Sequence, residues 1–122
     1  MKEYVGSRVR VVALVSVVDR DTRLASSLDA GFRYVNHSPT GFEWGYGGSG
    51  PAQLAFALLL DQTGNVATAR EFYQDFKWRV IAKIQSNCWH LDEEEIEQEI
   101  RALQLARNQG VQEGGGAWQS ST

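Results

Sequence analysis

Residues 50–64 read GPAQLAFALLLDQTG, and this stretch decides how the rest of the chain must be arranged. Pro51 has no N–H to leave unsatisfied, and its fixed φ suits the first helical position. Gly50 or Ser49 therefore caps a helix that runs until Gly64 stops it. Leu54, Phe56, Ala57, Leu58, Leu59 and Leu60 leave that helix almost no polar face. A helix that is apolar nearly all round has to be enclosed by other elements, so it is predicted to be the buried centre of the domain.

The enclosing elements are read on both sides of it. Residues 3–5 and 8–18 are rich in β-branched side chains and predict a short strand, a turn at Gly6-Ser7 and a long central strand. The second run, RVRVVALVSVV, is apolar on both alternating faces, too much so for an edge strand open to water. A third strand is expected near Thr22 to Leu28, and Phe32-Arg33-Tyr34-Val35 reads as a further one. C-terminal to the central helix, Asn65 caps a second helix to about Ile84, with Ala69, Phe72, Tyr73, Phe76, Val80 and Ile84 on one stripe. Asp75 and Arg79 are spaced to pair at i, i+4, and Lys77, Arg79 and Lys83 read as a solvated face. Trp78 and Ile81 point off the stripe, so they either meet another element of the chain or form an interface. Asp92 with Glu95 makes an Asp version of the capping box, flanked by Leu91 and Ile96 at the staple positions. The acidic run Asp92-Glu93-Glu94-Glu95 thereby has a structural explanation, since it also suits the positive end of the helix dipole. Ile96, Ile100 and Leu103 give this third helix a narrow apolar stripe. The fold class predicted is α+β, a small antiparallel sheet of three or four N-terminal strands packed against three helices, spanning residues 1–108. Residues 109–122 read as a flexible tail in which Trp118 has no explanation.

Between sheet and helices lies NHSPTGFEWGYGGSG, residues 36–50. A loop this long inside a small domain is usually functional or disordered, and Phe42, Trp44 and Tyr46 argue for order because such side chains pack. Its GYGGSG matches the spacing of a dinucleotide fingerprint. That motif needs a strand running into the glycines and a parallel strand returning after one helix. Here a polar aromatic loop precedes the glycines and two helices follow, so the Rossmann reading fails. No Gly-Lys-Ser/Thr follows for a P-loop either. Glycines entering a helix still present N–H groups and a partial positive charge to an anion, although the same glycines equally serve tight turns and close backbone approach. The candidate ligand-binding residues are His37, Glu43, Trp44, Tyr46, Gly47, Gly48, Ser49 and Gly50, and the candidate interface residues are Trp78 and Ile81. His37 and Glu43 have the chemistry of a base and an acid, but no catalytic set can be named and catalysis is left open. Cys88 and His90 lack the second pair that a zinc site needs. No metal and no cofactor is expected.

At 122 residues the chain can bury a core without staples. Its one Cys has no partner within the chain, which suits a reducing, cytoplasmic compartment. Residues 2–6 do not read as a signal peptide, and no apolar run approaches the roughly 20 residues of a membrane helix. The net charge of −3 offers no basic excess, which argues against nucleic-acid binding through Arg8, Arg10, Arg33 and the loop aromatics.

The run Asn36-His-Ser-Pro-Thr-Gly-Phe-Glu-Trp-Gly-Tyr-Gly-Gly-Ser-Gly-Pro-Ala-Gln-Leu-Ala55, with Asp75-Phe76-Lys77-Trp78 and Trp89-His90-Leu91, resembles a small uncharacterised family of bacteria, archaea and phages, a domain of unknown function. The resemblance covers roughly residues 3–100. It implies attention to residues 36–55 and 75–78, and carriage on mobile genetic elements, without assigning chemistry. Two readings of function follow. One is a non-enzymatic binding or interaction module using loop 36–50, with a homodimer as one form of it. The alternative is a phosphate- or nucleotide-binding protein or enzyme, holding a small anionic ligand at the helix N-terminus near Gly47–Gly50.

Overall fold

The computed structural model describes residues 1–38 and 40–112. The central helix, α1 (Ser49–Thr63), is enclosed as its composition requires: every residue from Gly50 to Leu59 is buried. Gly48 is its N-cap and Pro51 stands two positions into the helix, later than the sequence suggested. At the other end Gly64 adopts φ 66°, the left-handed conformation open to glycine without cost, and its N–H bonds Leu60 O at 2.8 Å.

Strands β1 (Lys2–Val9), β2 (Val12–Asp19), β3 (Ala25–Ser27) and β4 (Cys88–Asp92) form one antiparallel sheet in the order β3-β2-β1-β4. The fold is α+β, with three strands at the N-terminus and the fourth, which the sequence reading missed, between the last two helices. The first turn falls at Arg10-Val11, where Arg10 takes φ 59°, and not at Gly6-Ser7. Gly6 has a different task. It lies inside β1 opposite Trp89 of β4, whose indole occupies the space a Cβ would need. Residues 32–35 are not a strand either. The N–H groups of Tyr34 and Val35 both bond Gly31 O, closing a turn around Gly31 at φ 75°.

Asn65 caps α2 (Val66–Arg79), its side chain accepting from Thr68 N at 3.0 Å. The helix ends earlier than predicted and passes into a 3-10 turn, Ile81–Lys83. The capping box of α3 (Glu93–Gln112) is present in both directions: Glu95 N donates to Asp92 Oδ1 at 2.8 Å and Asp92 N to Glu95 Oε1 at 3.0 Å. The expected Asp75–Arg79 pair is not made, because α3 supplies better placed partners. Arg79 bonds Glu99 at 2.7 Å and Arg107 bonds Asp75 at 3.0 Å, tying α2 to α3. The helix α3 continues past residue 108. Of the proposed tail, residues 113–122, including Trp118, lie outside the described residues. One apolar cluster joins Tyr4 and Val15 of the sheet to α1, to Phe72 and Phe76 of α2, and to Ile96, Ile100 and Leu103 of α3. No helix among the described residues is long and apolar enough to cross a membrane.

Tyr4 links sheet to α1 through a polar contact in that cluster. Its ring is fully buried and its hydroxyl donates to Asp61 Oδ2 at 2.8 Å. Burial, then this bond and the charges of Asp61 and Glu93, push the phenol well above its ordinary pKa of 10.0. A raised folded-state pKa favours the protonated form, so the contribution is complete below about pH 10 and is lost as the unfolded chain ionises above it. Urea unfolding at successive pH values is therefore expected to show wild type losing stability above about pH 10 more steeply than Tyr4→Phe. Parallel losses in the two proteins would contradict the assignment.

Candidate functional site

The long loop reaches α1 through one buried side chain that the sequence reading passed over. Gln53 on α1 is 0% exposed. Its Nε2 donates to Ala30 O at 2.7 Å and Val35 O at 2.9 Å, while its Oε1 accepts from His37 N at 2.8 Å and, more weakly, from Ser38 N at 3.4 Å. A buried amide is costly unless all its groups are paired. Here they are paired, and the same bonds satisfy backbone groups of a segment with no strand or helix of its own. The only hint in sequence is a single polar residue within an apolar helix.

The second half of the loop is pinned to the sheet by Arg8 of β1. Its guanidinium bonds Glu43 Oε1 at 2.6 Å and Asn87 Oδ1 at 2.7 Å, and sits 4.5 Å from the centroid of the Trp44 ring. Trp44 is 2% exposed, donates from Nε1 to Ser86 O at 2.9 Å, and meets Trp89 edge to face. Trp44 is thus a core residue that anchors the loop, and its ring is not open to a ligand. Gly45, at φ 92°, then donates its N–H to Ile81 O at 3.0 Å, tying the loop to the 3-10 turn.

His37 and Glu43 are not brought together. His37 Nε2 lies 2.6 Å from Tyr73 Oη, with the rings stacked, whereas Glu43 is taken up by Arg8. No contact between the two is present among the described residues. Nor do Arg8, Arg10 and Arg33 converge: Arg8 is committed to Glu43, Arg10 turns the hairpin, and Arg33 lies over Tyr34.

What the loop does present is an aromatic edge. Tyr46 is 52% exposed and Trp78 56% exposed, and both rest on glycine. A Cβ at Gly47 would run into the Trp78 indole, and one at Gly48 into the Tyr46 ring. Lys77 departs from the expected solvated face. It is only 7% exposed, its Nζ donates to Gly47 O at 3.2 Å, and the same ammonium lies 4.5 Å from the centroid of Trp78. Lys77 therefore fastens the glycine turn to α2 and holds the Trp78 ring in place. Ile81, paired with Trp78 as an interface candidate, is fully buried within its own chain, so Trp78 alone of the two is at the surface. Gly50 is buried against Glu43, and Ser49 is exposed. Among the described residues, the amides of Gly47, Gly48, Ser49 and Gly50 have no acceptor, the last three because the start of a helix leaves them so. Three clefts lie elsewhere, one of about 250 Å³ lined by Asp29, Arg33, Tyr34 and Asp61 among others. No group of three or more His, Cys, Asp or Glu among the described residues is placed to hold a metal.

An antiparallel sheet backed by helices on one side, with a pinned glycine and aromatic loop entering the buried helix, defines the class as a small α+β domain. The chain belongs to a family of unknown function, DUF6166, whose model matches residues 4–102, from β1 into α3. No curated protein and no solved structure matches it.

Proposed function

We propose that the protein is a binding module without catalytic activity, and that it meets a protein partner through the edge formed by Tyr46 and Trp78. The observation that carries this reading is an indole more than half exposed yet fixed in position, lying on Gly47 and beneath the ammonium of the buried Lys77. Exposing a large aromatic forgoes burial, and ordering it beforehand removes an entropic cost of association. Tryptophan and tyrosine are also the residues that most often dominate interface energetics. Separate engagement of His37 and Glu43 supports binding over acid–base chemistry. Dispersal of Arg8, Arg10 and Arg33 supports a protein partner over nucleic acid. A cytoplasmic setting, and carriage on mobile genetic elements, are parts of the same proposal. A partner recovered by pull-down and purified should bind Trp78→Ala at least about thirtyfold more weakly than wild type, the effect of a hot spot of 2 kcal/mol or more. Equal affinities, measured calorimetrically, would end the proposal.

A second reading has an observation of its own in the unsatisfied amides at the start of α1, whose first turn carries no acidic side chain. These would take a phosphate-bearing ligand beside Tyr46. Ser49→Asp supplies a carboxylate where that anion would sit, at an exposed position. If an anion binds, phosphate or nucleotides raise the melting temperature of wild type, and Ser49→Asp raises it in their absence while abolishing the response. No shift in wild type across such a panel would remove this reading.

A further inference from the structure

Among the described residues, the helices cover only one face of the sheet. Tyr4, Gly6 and Arg8 of β1 alternate inward with Ala13, Val15 and Val17 of β2, and it is these that meet the core or the loop. The opposite face carries Val5, Ser7 and Val9 from β1, registered against Ser16, Leu14 and Val12 from β2. Val5, Val9, Val12 and Leu14 are all exposed, Leu14 at 54%. A sheet with one solvated face ordinarily shows polar residues there. Strand β2 reads VALVSVVD and offers water valine and leucine on its outer side.

We propose that a second copy of this chain covers that face, packing sheet against sheet. Charge and size both favour this occupant. At one end of this face the charged groups neutralise one another within the chain, Arg20 lying 3.4 Å from Glu3 and 3.8 Å from Asp92, while Arg10 stands in the hairpin turn at the other end. The centre, from Val5 and Leu14 to Val9 and Val12, is uncharged, so it meets its own image with apolar against apolar. At roughly 3.3 Å per residue and 4.8 Å per strand, strands of eight, eight, three and five residues give a face of about 380 Å² in plan. Side-chain relief enlarges the accessible area of such a face toward the ~800 Å² per partner of a standard interface, which places the dimer at the small end of the range. Small Ser7 and Ser16 between the larger residues allow interdigitation at the roughly 10 Å spacing of packed sheets.

The test is the mass of the full chain by light scattering during gel filtration, over a dilution series, for wild type, Leu14→Lys, Val12→Glu and Trp78→Ala. Both charged variants replace exposed residues, and far-UV circular dichroism checks that each retains its fold. Wild type is expected at twice the chain mass, with Trp78→Ala unchanged and at least one folded charged variant dissociating at concentrations about a hundredfold higher than wild type. A single-chain mass for wild type at every concentration would overturn the proposal. So would a dimer that persists in both charged variants, or one lost in Trp78→Ala alone.

Discussion

The placement of the loop depends on the buried amide of Gln53. Between Pro51 and Leu60 helix α1 is otherwise apolar, and its other polar anchor, Asp61 bound by Tyr4, lies near its C-terminal end away from the loop. Four hydrogen bonds from one side chain to Ala30, Val35, His37 and Ser38 select one rotational setting, because any other leaves buried donors and acceptors unpaired. Each orphaned group costs on the order of 1–3 kcal/mol, which is large against the stability of a domain this size. A polar residue inside an apolar helix here fixes where a strandless segment must lie.

From that fixed point the remainder of the loop follows by short tethers. Arg8 takes Glu43 and covers Trp44, Trp44 reaches Ser86, Gly45 reaches Ile81, and Lys77 reaches Gly47. The glycines are spent on close approach to rings: Trp78 over Gly47, Tyr46 over Gly48, Trp89 over Gly6. The segment is in this sense the reverse of a dinucleotide loop, where glycine clears room for a ligand. Here much of the cleared room holds the chain's own aromatics, and two of them remain facing water.

Much of the fold was legible in the sequence because its signals are local. The Asp92–Glu95 capping box, the Asn65 cap, the Gly64 stop and the all-apolar α1 each depend on a few neighbouring residues. What failed depends on distant partners. Residues 88–92 carry too short and mixed a pattern to announce a strand, and they become one only because β1 offers an edge beside Gly6. Residues 32–35 look extended, but Gly31 and the Gln53 amide close them into a turn. Arg10 at positive φ carries no turn signature, so Gly6 drew the turn to itself. Asp75 and Arg79 satisfy helical spacing, yet α3 provides the counter-ions. Of the candidate site, the loop was found from its length and aromatics. Spacing could not tell that Trp44 would be buried, that Ile81 would join the core, or that Lys77 would turn inward to Gly47.

The claim that Gln53 makes this loop a rigid platform is tested most directly by amide hydrogen exchange, residue by residue, in wild type and Gln53→Leu. The account predicts that in wild type the His37 amide, held by Gln53 Oε1, exchanges at least about a thousandfold more slowly than the unbonded Gly48 amide, as expected where opening costs roughly 4 kcal/mol or more. In Gln53→Leu that protection should vanish while the α1 amides stay protected. Equal, rapid exchange of His37 and Gly48 in wild type would contradict it.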